Sequence, residues 1–137
     1  MDQVPVKPFQ LLNNDPAALY VAESGLVGKE GPDTPKGQAL YKTTQSNYTL
    51  ADDQNQLLVN LKWQSPNGLI VNKQFIFKRD DYQINVNYQI TNNSRTPWVG
   101  QLYTQLQRKK VAPASHLLFG INPYMGAAIS TPDKPYQ

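Results

Sequence analysis

From Tyr82 to Thr91 the chain reads Y-Q-I-N-V-N-Y-Q-I-T, with apolar and polar side chains alternating at every step. A period of two marks a β-strand with one dry and one wet face. Tyr82, Ile84, Val86, Tyr88 and Ile90 are therefore expected to point one way, and Gln83, Asn85, Asn87, Gln89 and Thr91 to point to water. The same alternation in residues 57–64 (L-L-V-N-L-K-W-Q) places Leu57, Val59, Leu61 and Trp63 on one face. Residues 69–79 (L-I-V-N-K-Q-F-I-F-K-R) return after Ser65-Pro66-Asn67-Gly68. Asn67 and Gly68 both tolerate positive φ, so a tight hairpin is predicted there. Asp80-Asp81 turns the chain into residues 82–91, and a further strand is expected over residues 98–107, with Leu102 and Leu106 on one face. Three consecutive long strands joined by short turns predict an antiparallel meander.

The flanking segments carry weaker periodicity. Residues 9–12 (F-Q-L-L) and 17–22 (A-A-L-Y-V-A) predict two short strands around Asn13-Asn14-Asp15-Pro16, although Asp15 followed by Pro16 is also a good helix start. Residues 24–38 (S-G-L-V-G-K-E-G-P-D-T-P-K-G-Q) have no period and read as a long, exposed, flexible loop suited to touching a partner. Residues 47–51 predict a strand closed by the turn Asp52-Asp53-Gln54-Asn55. Beyond Arg108-Lys109-Lys110 the pattern loosens, with a strand expected at 127–130 and a polar, proline-containing end at 131–137. No segment repeats at fixed spacing, so nothing supports a propeller or solenoid. The elements together predict an all-β fold.

Composition narrows this picture. A chain of 137 residues suits one hydrophobic core, hence one domain, and eleven prolines and eight glycines imply many turns. Thirteen Lys and Arg against ten Asp and Glu give a net charge of +3, too small an imbalance to imply nucleic acid. The absence of cysteine removes disulfides, thiolate catalysis and thiolate metal sites together. No run approaches the ~20 apolar residues of a membrane span, and no signal peptide opens the chain. Any anchor or export signal is expected outside the residues given.

Side chains suited to chemistry are scarce. His116 is the sole histidine, in Ala114-Ser115-His116-Leu117, and neither Glu23 nor Glu30 is near it in sequence. A loop or strand-edge role is expected for it, and Ser115 lacks the G-x-S-x-G setting of a nucleophile elbow. Gly25-Leu26-Val27-Gly28-Lys29-Glu30-Gly31 has the look of a phosphate loop but lacks the Gly-Lys-Ser or Gly-Lys-Thr ending, and Pro32 and Pro35 exclude a long helix after it. No catalytic, cofactor-binding or metal-ligating residue is assigned. Arg108-Lys109-Lys110 is the densest positive patch, and Lys62, Lys73, Lys78 and Arg79 are candidates to extend it along the meander. Trp63, Phe75, Phe77 and Trp98 lie near in sequence and invite an oligonucleotide-binding reading. Trp63, however, shares its alternating set with Leu57, Val59 and Leu61, so its ring is expected in the core. Asn47-Tyr48-Thr49 and Asn92-Asn93-Ser94 match glycosylation sequons, which matter only in a eukaryotic secretory compartment.

Four stretches carry a family resemblance: P-F-Q-L-L at 8–12, S-G-L-V-G-K-E-G-P-D at 24–33, F-K-R-D-D-Y-Q-I-N-V-N-Y-Q-I at 77–90 and A-A-I-S-T-P-D-K-P-Y at 127–136. In this order and spacing the chain resembles the first large periplasmic domain of the bacterial membrane protein insertase YidC, of the YidC/Oxa family. The resemblance implies an antiparallel β-sandwich of the large supersandwich kind, galactose-mutarotase-like, in a Gram-negative inner-membrane protein whose transmembrane core performs insertion. It implies a non-enzymatic periplasmic module without cofactors, of which residues 1–137 form a single, incomplete domain fragment, joined to the membrane through segments outside this chain. Partners implied are the Sec translocon with its accessory subunit SecF (SecDF), and nascent inner-membrane proteins as clients of the whole protein, with no nucleic acid. The SecF contact would fall within residues 107–137, which contain the partner-binding candidates Arg108, Lys109 and Lys110. Two rival readings are a carbohydrate- or peptide-binding sandwich using Trp63 or Trp98 and a mutarotase-like enzyme, for which His116 and a distant glutamate are a thin supply of acid and base.

Overall fold

β-branched and aromatic residues at alternate positions, bounded by Gly, Pro, Asn and Asp, produce five strands among the described residues. They are β1 (Tyr20–Gly28), β2 (Gln56–Gln64), β3 (Leu69–Lys78), β4 (Ile84–Asn92) and β5 (Gly100–Arg108). The computed structural model describes residues 9–35, 37–110 and 131–134. The strand predicted at 127–130 and the residues Ser115 and His116 lie outside the described residues. The strands form two sheets, β1-β5 and β2-β3-β4, an all-β arrangement consistent with a β-sandwich. By contact the chain divides into two compact units, Ser24–Gln105 and the pair of segments Met1–Glu23 and Leu106–Gln137.

Within the larger unit, β2, β3 and β4 are the predicted meander. Leu57 lies opposite Phe77, Val59 opposite Phe75, Leu61 opposite Lys73 and Trp63 opposite Val71. On the other side of β3, Phe77 meets Ile84, Phe75 meets Val86, Lys73 meets Tyr88 and Val71 meets Ile90. Because side chains alternate, these rows form one apolar face, and Asn60, Gln74 and Asn87 with Lys62, Asn72 and Gln89 form rows on the other. The buried apolar centre is Leu26 of β1 with Leu69 and Val71 of β3, Val71 being 0% exposed. Ile84, Val86 and Ile90 share the apolar face yet remain exposed, since β4 is an edge strand of its sheet among the described residues.

The hairpin between β2 and β3 forms where Asn67-Gly68 predicts it, with Gly68 alone at positive φ, +100°. The Ser65 amide donates to the Leu69 carbonyl at 2.8 Å, and the Leu69 amide donates back to the Ser65 hydroxyl at 2.9 Å. Asp80 takes φ +57° at the next turn, and the Asp81 carboxylate accepts the Gln83 amide at 2.9 Å. That turn extends to residue 83, so β4 starts at Ile84, and Tyr82 stands fully in solvent instead of opening the strand.

Other expectations are corrected. Residues 24–28 belong to β1 and not to a loop, because the sheet partner β5 supplies a ladder that periodicity cannot reveal. The segment 9–12 forms no strand; Asn13 alone pairs with Tyr20 through two 2.8 Å backbone bonds. Asp15 begins a turn, its carboxylate accepting the Ala17 amide at 2.8 Å; no helix follows, and the strand expected over 17–22 starts only at Tyr20, as the beginning of β1. Residues 47–51 are not a strand either. The neighbour of β2 is Lys42, whose amide and carbonyl both pair with Lys62 at 2.8 Å.

Candidate functional site

The glycine-rich segment is a built structure. β1 ends at Gly28, and the chain reverses through Lys29 and Glu30, the latter at φ +58°, so that the Gly31 amide donates to the Gly28 carbonyl at 3.1 Å. Asp33 is buried and fixes the return. Its two carboxylate oxygens accept the Leu26 amide at 2.8 Å and the Ala39 amide at 3.2 Å, and its own amide donates to the Leu26 carbonyl at 3.1 Å. Trp98 lies over the reversal, its indole N–H donating to the Lys29 carbonyl at 3.0 Å. A side chain at Gly28 would stand 2.7 Å from the Val99 carbonyl and 2.9 Å from the Trp98 ring, which is why that position lacks a Cβ. Asn67 of the β2–β3 turn donates to the Glu30 carboxylate at 2.5 Å and ties the two turns together. Gly31, Pro32 and Asp33 are buried, so the segment is not the flexible exposed loop its composition suggests.

Beneath it lies a polar cluster on the apolar face of the meander. Lys73 is only 9% exposed and donates to the Ser24 carbonyl at 2.5 Å, with its ammonium 5.1 Å from the Phe75 ring and 5.5 Å from the Tyr88 ring. The Tyr88 hydroxyl donates to the Ser24 hydroxyl at 3.0 Å. A buried ammonium is tolerated where a carbonyl and aromatic faces replace its water. Tyr41 completes the cluster with a buried hydroxyl that has no hydrogen-bond partner among the described residues. Burial, then the neighbouring Asp33, Tyr88 and Tyr103, pushes the Tyr41 phenol well above its usual pKa.

The predicted basic surface separates into parts with different work. Arg79 staples the 51–55 turn: its guanidinium donates to the Ala51 carbonyl at 2.7 Å and the Gln54 carbonyl at 3.1 Å, and its amide to the Asn55 carbonyl at 2.8 Å. Lys73 is buried and extends no surface patch, whereas Arg79 is exposed while it holds the turn. Arg108, Lys109 and Lys110 are exposed at the end of β5. The Arg108 guanidinium sits 6.0 Å from the Tyr20 ring, and the Lys109 amide donates to the Leu19 carbonyl at 2.8 Å. Trp63 is half-buried opposite Val71 and Trp98 is occupied by the glycine turn, so neither is an open stacking platform for a base or a sugar. No group of three metal-ligating side chains occurs among the described residues. Sequence reasoning missed the buried roles of Asp33 and Lys73. Lys73 left a signal, since it occupies an apolar-parity position between Val71 and Phe75; Asp33 left none.

Two antiparallel sheets carrying a fixed turn and a basic strand end define a sandwich-type module that presents surfaces. Comparison with known proteins makes this specific. The family model described as YidC periplasmic domain matches residues 2–137. The chain is 43% identical over 134 residues to the membrane protein insertase YidC of Pseudomonas entomophila, covering 97% of this chain and 24% of that protein. It is 44% identical over 135 residues to the insertase of Azotobacter vinelandii, covering 97% and 24%, and 41% identical over 130 residues to that of Coxiella burnetii strain Dugway, covering 95% and 22%. The chain belongs to the YidC periplasmic domain family. It spans about a quarter of the length of these relatives.

Proposed function

We propose that residues 1–137 act as one non-catalytic periplasmic domain of an inner-membrane protein insertase, assisting insertion and folding of nascent membrane proteins by docking to the Sec translocon. The observation that carries the reading is family membership over nearly the whole chain, to proteins named membrane protein insertase. The architecture assigned to the complete domain is a supersandwich of the galactose-mutarotase-like kind. The docking surface is the exposed end of β5, Arg108, Lys109 and Lys110, and the partner is the periplasmic region of SecF. All three side chains are exposed, and among the described residues no carboxylate is paired with them, which suits them to meeting acidic side chains of a partner. Such rim charges steer association and give it a salt dependence.

Calorimetry of the chain with the purified SecF periplasmic region, at low and moderate salt, tests this. Changing Arg108, Lys109 and Lys110 together to serine leaves the fold intact, because all three side chains are exposed, and abolishes binding. No binding by the folded wild-type chain, or equal binding by the triple variant, rejects the docking surface.

A further inference from the structure

The outer, polar face of the β2-β3-β4 sheet has no part in the reading above. Two hollows of about 660 and 630 Å³ lie along it and share Thr44 and Asn60, so together they make one elongated trough. Its floor is laid by strand register. Asn60, Gln74 and Asn87 stand in one row across the three strands, and Lys62, Asn72 and Gln89 in the next. Neighbours in a row are about 5 Å apart and the rows about 7 Å apart, from the spacing of pleated strands. Each amide offers two donors and a two-lone-pair acceptor. Among the described residues one bond uses this capacity, from the Gln74 amide N–H to the Asn60 oxygen at 2.8 Å. The Asn72, Asn87 and Gln89 side chains make no hydrogen bond among the described residues.

The charge in the trough is one-sided. Lys42 and Lys62 face each other as backbone-paired residues at one side of it, and no Asp or Glu among the described residues lines either hollow. Like charges directly opposite on neighbouring strands are unfavourable, and among the described residues no carboxylate lines either hollow to offset them. An anionic group held between the two lysines would do so.

We propose that this trough binds an acidic oligosaccharide, with a carboxylate between Lys42 and Lys62 and ring hydroxyls on the Asn60, Asn72, Gln74, Asn87 and Gln89 amides. A grid of groups that each donate and accept suits hydroxyls, which do the same. An extended peptide fits less well. At the lysine pair the β2 edge is occupied by Lys42, and a strand added at the open β4 edge would pair through its backbone and leave the amide rows unused.

The test is an NMR titration of the 137-residue chain with tetragalacturonate, with uncharged chitotetraose and with an acetylated Glu-Ser-Glu-Ser peptide. Saturable shifts at the five amide residues, stronger for the acidic sugar than for either control, are expected. Lys42→Ser should weaken tetragalacturonate about five-fold, the effect of about 1 kcal/mol from one exposed charge, and leave chitotetraose unchanged. Asn87→Ala with Gln89→Ala should weaken both sugars without altering stability, since both side chains are exposed. Absence of saturable shifts in the low-millimolar range, shifts confined to other surfaces, equal binding of both sugars, or stronger binding of the peptide would each overturn the proposal. SecF binding by the same chain is read separately, so either conclusion can fail without the other.

Discussion

Removing one oxygen atom from Tyr41 should stabilise this protein. The Tyr41 hydroxyl is buried and has no partner among the described residues, whereas a buried polar group left unsatisfied costs about 1–3 kcal/mol. Tyr41→Phe keeps the ring, its packing and nearly its volume, and deletes only the unsatisfied group. A gain of about 1–2 kcal/mol is expected at pH 7, which raises the urea midpoint by roughly 0.5–1 M for an m-value of about 2 kcal/mol/M. The alkaline limb supplies a second signature. Burial above all, with Asp33 and then Tyr88 and Tyr103 adding, raises the Tyr41 pKa above its ordinary value of 10.0. The folded state therefore keeps the phenol proton after the unfolded chain starts to lose it. The associated stability is complete below pH 10 and is lost as pH rises through the folded value, with a limiting slope of about 1.4 kcal/mol per pH unit that solvent screening at this partly exposed ring reduces. Tyr41→Phe has no such loss, so its advantage over wild type should widen above pH 10. Paired urea melts at pH 7, 9 and 11 measure both effects. A variant less stable than wild type at pH 7 would mean that the hydroxyl has a partner, and an advantage constant from pH 7 to 11 would refute the titration argument.

Two further outcomes follow from the packing. Gly28→Ala should destabilise by about 2 kcal/mol, because its Cβ meets the Val99 carbonyl, a backbone atom that cannot swing aside, as well as the Trp98 ring. In a Trp63→Phe background the emission of Trp98 should shift to the red with it, and an unchanged spectrum and urea midpoint would sink the close-approach argument. Lys73→Ala and Lys73→Met both delete the ammonium and its bond to Ser24, but only methionine keeps a stem of similar length. Lys73→Met should therefore be more stable than Lys73→Ala by about 2 kcal/mol, from roughly three methylene-sized groups at ~0.8 kcal/mol each. Equal denaturation midpoints would show that the stem is not packed.

Legibility in the sequence tracked how local the cause of each feature is. The meander was readable because alternation and the Asn67-Gly68 signal act within a few residues, and the register then follows from keeping one apolar face together. Segment 24–28 was misread because glycine, normally a loop residue, is required there by groups far along the chain: Trp98 and Val99 at Gly28, and Asp33 and Tyr103 at Gly25. The basic cluster was found by composition, but composition could not separate the exposed Arg108, Lys109 and Lys110 from the buried Lys73 or the turn-holding Arg79. The amide trough was visible only as polar positions expected to face water. Its depth and its lysine pair come from strand register and from Lys42 joining the β2 edge.

By itself the sequence determined the all-β class, the strands β2, β3 and β4 and their dry and wet faces, since these rest on period-two patterning and turn chemistry that each segment carries alone. Tertiary structure decided that β5 leaves the meander to pair with β1, that a lysine belongs on the apolar face, and that a glycine-rich stretch becomes a strand and a locked turn. The physical reason is that a hydrogen-bond ladder, a carbonyl aimed at an ammonium, or a ring laid on a glycine needs two partners distant in sequence. Periodicity along one segment carries no information about the other.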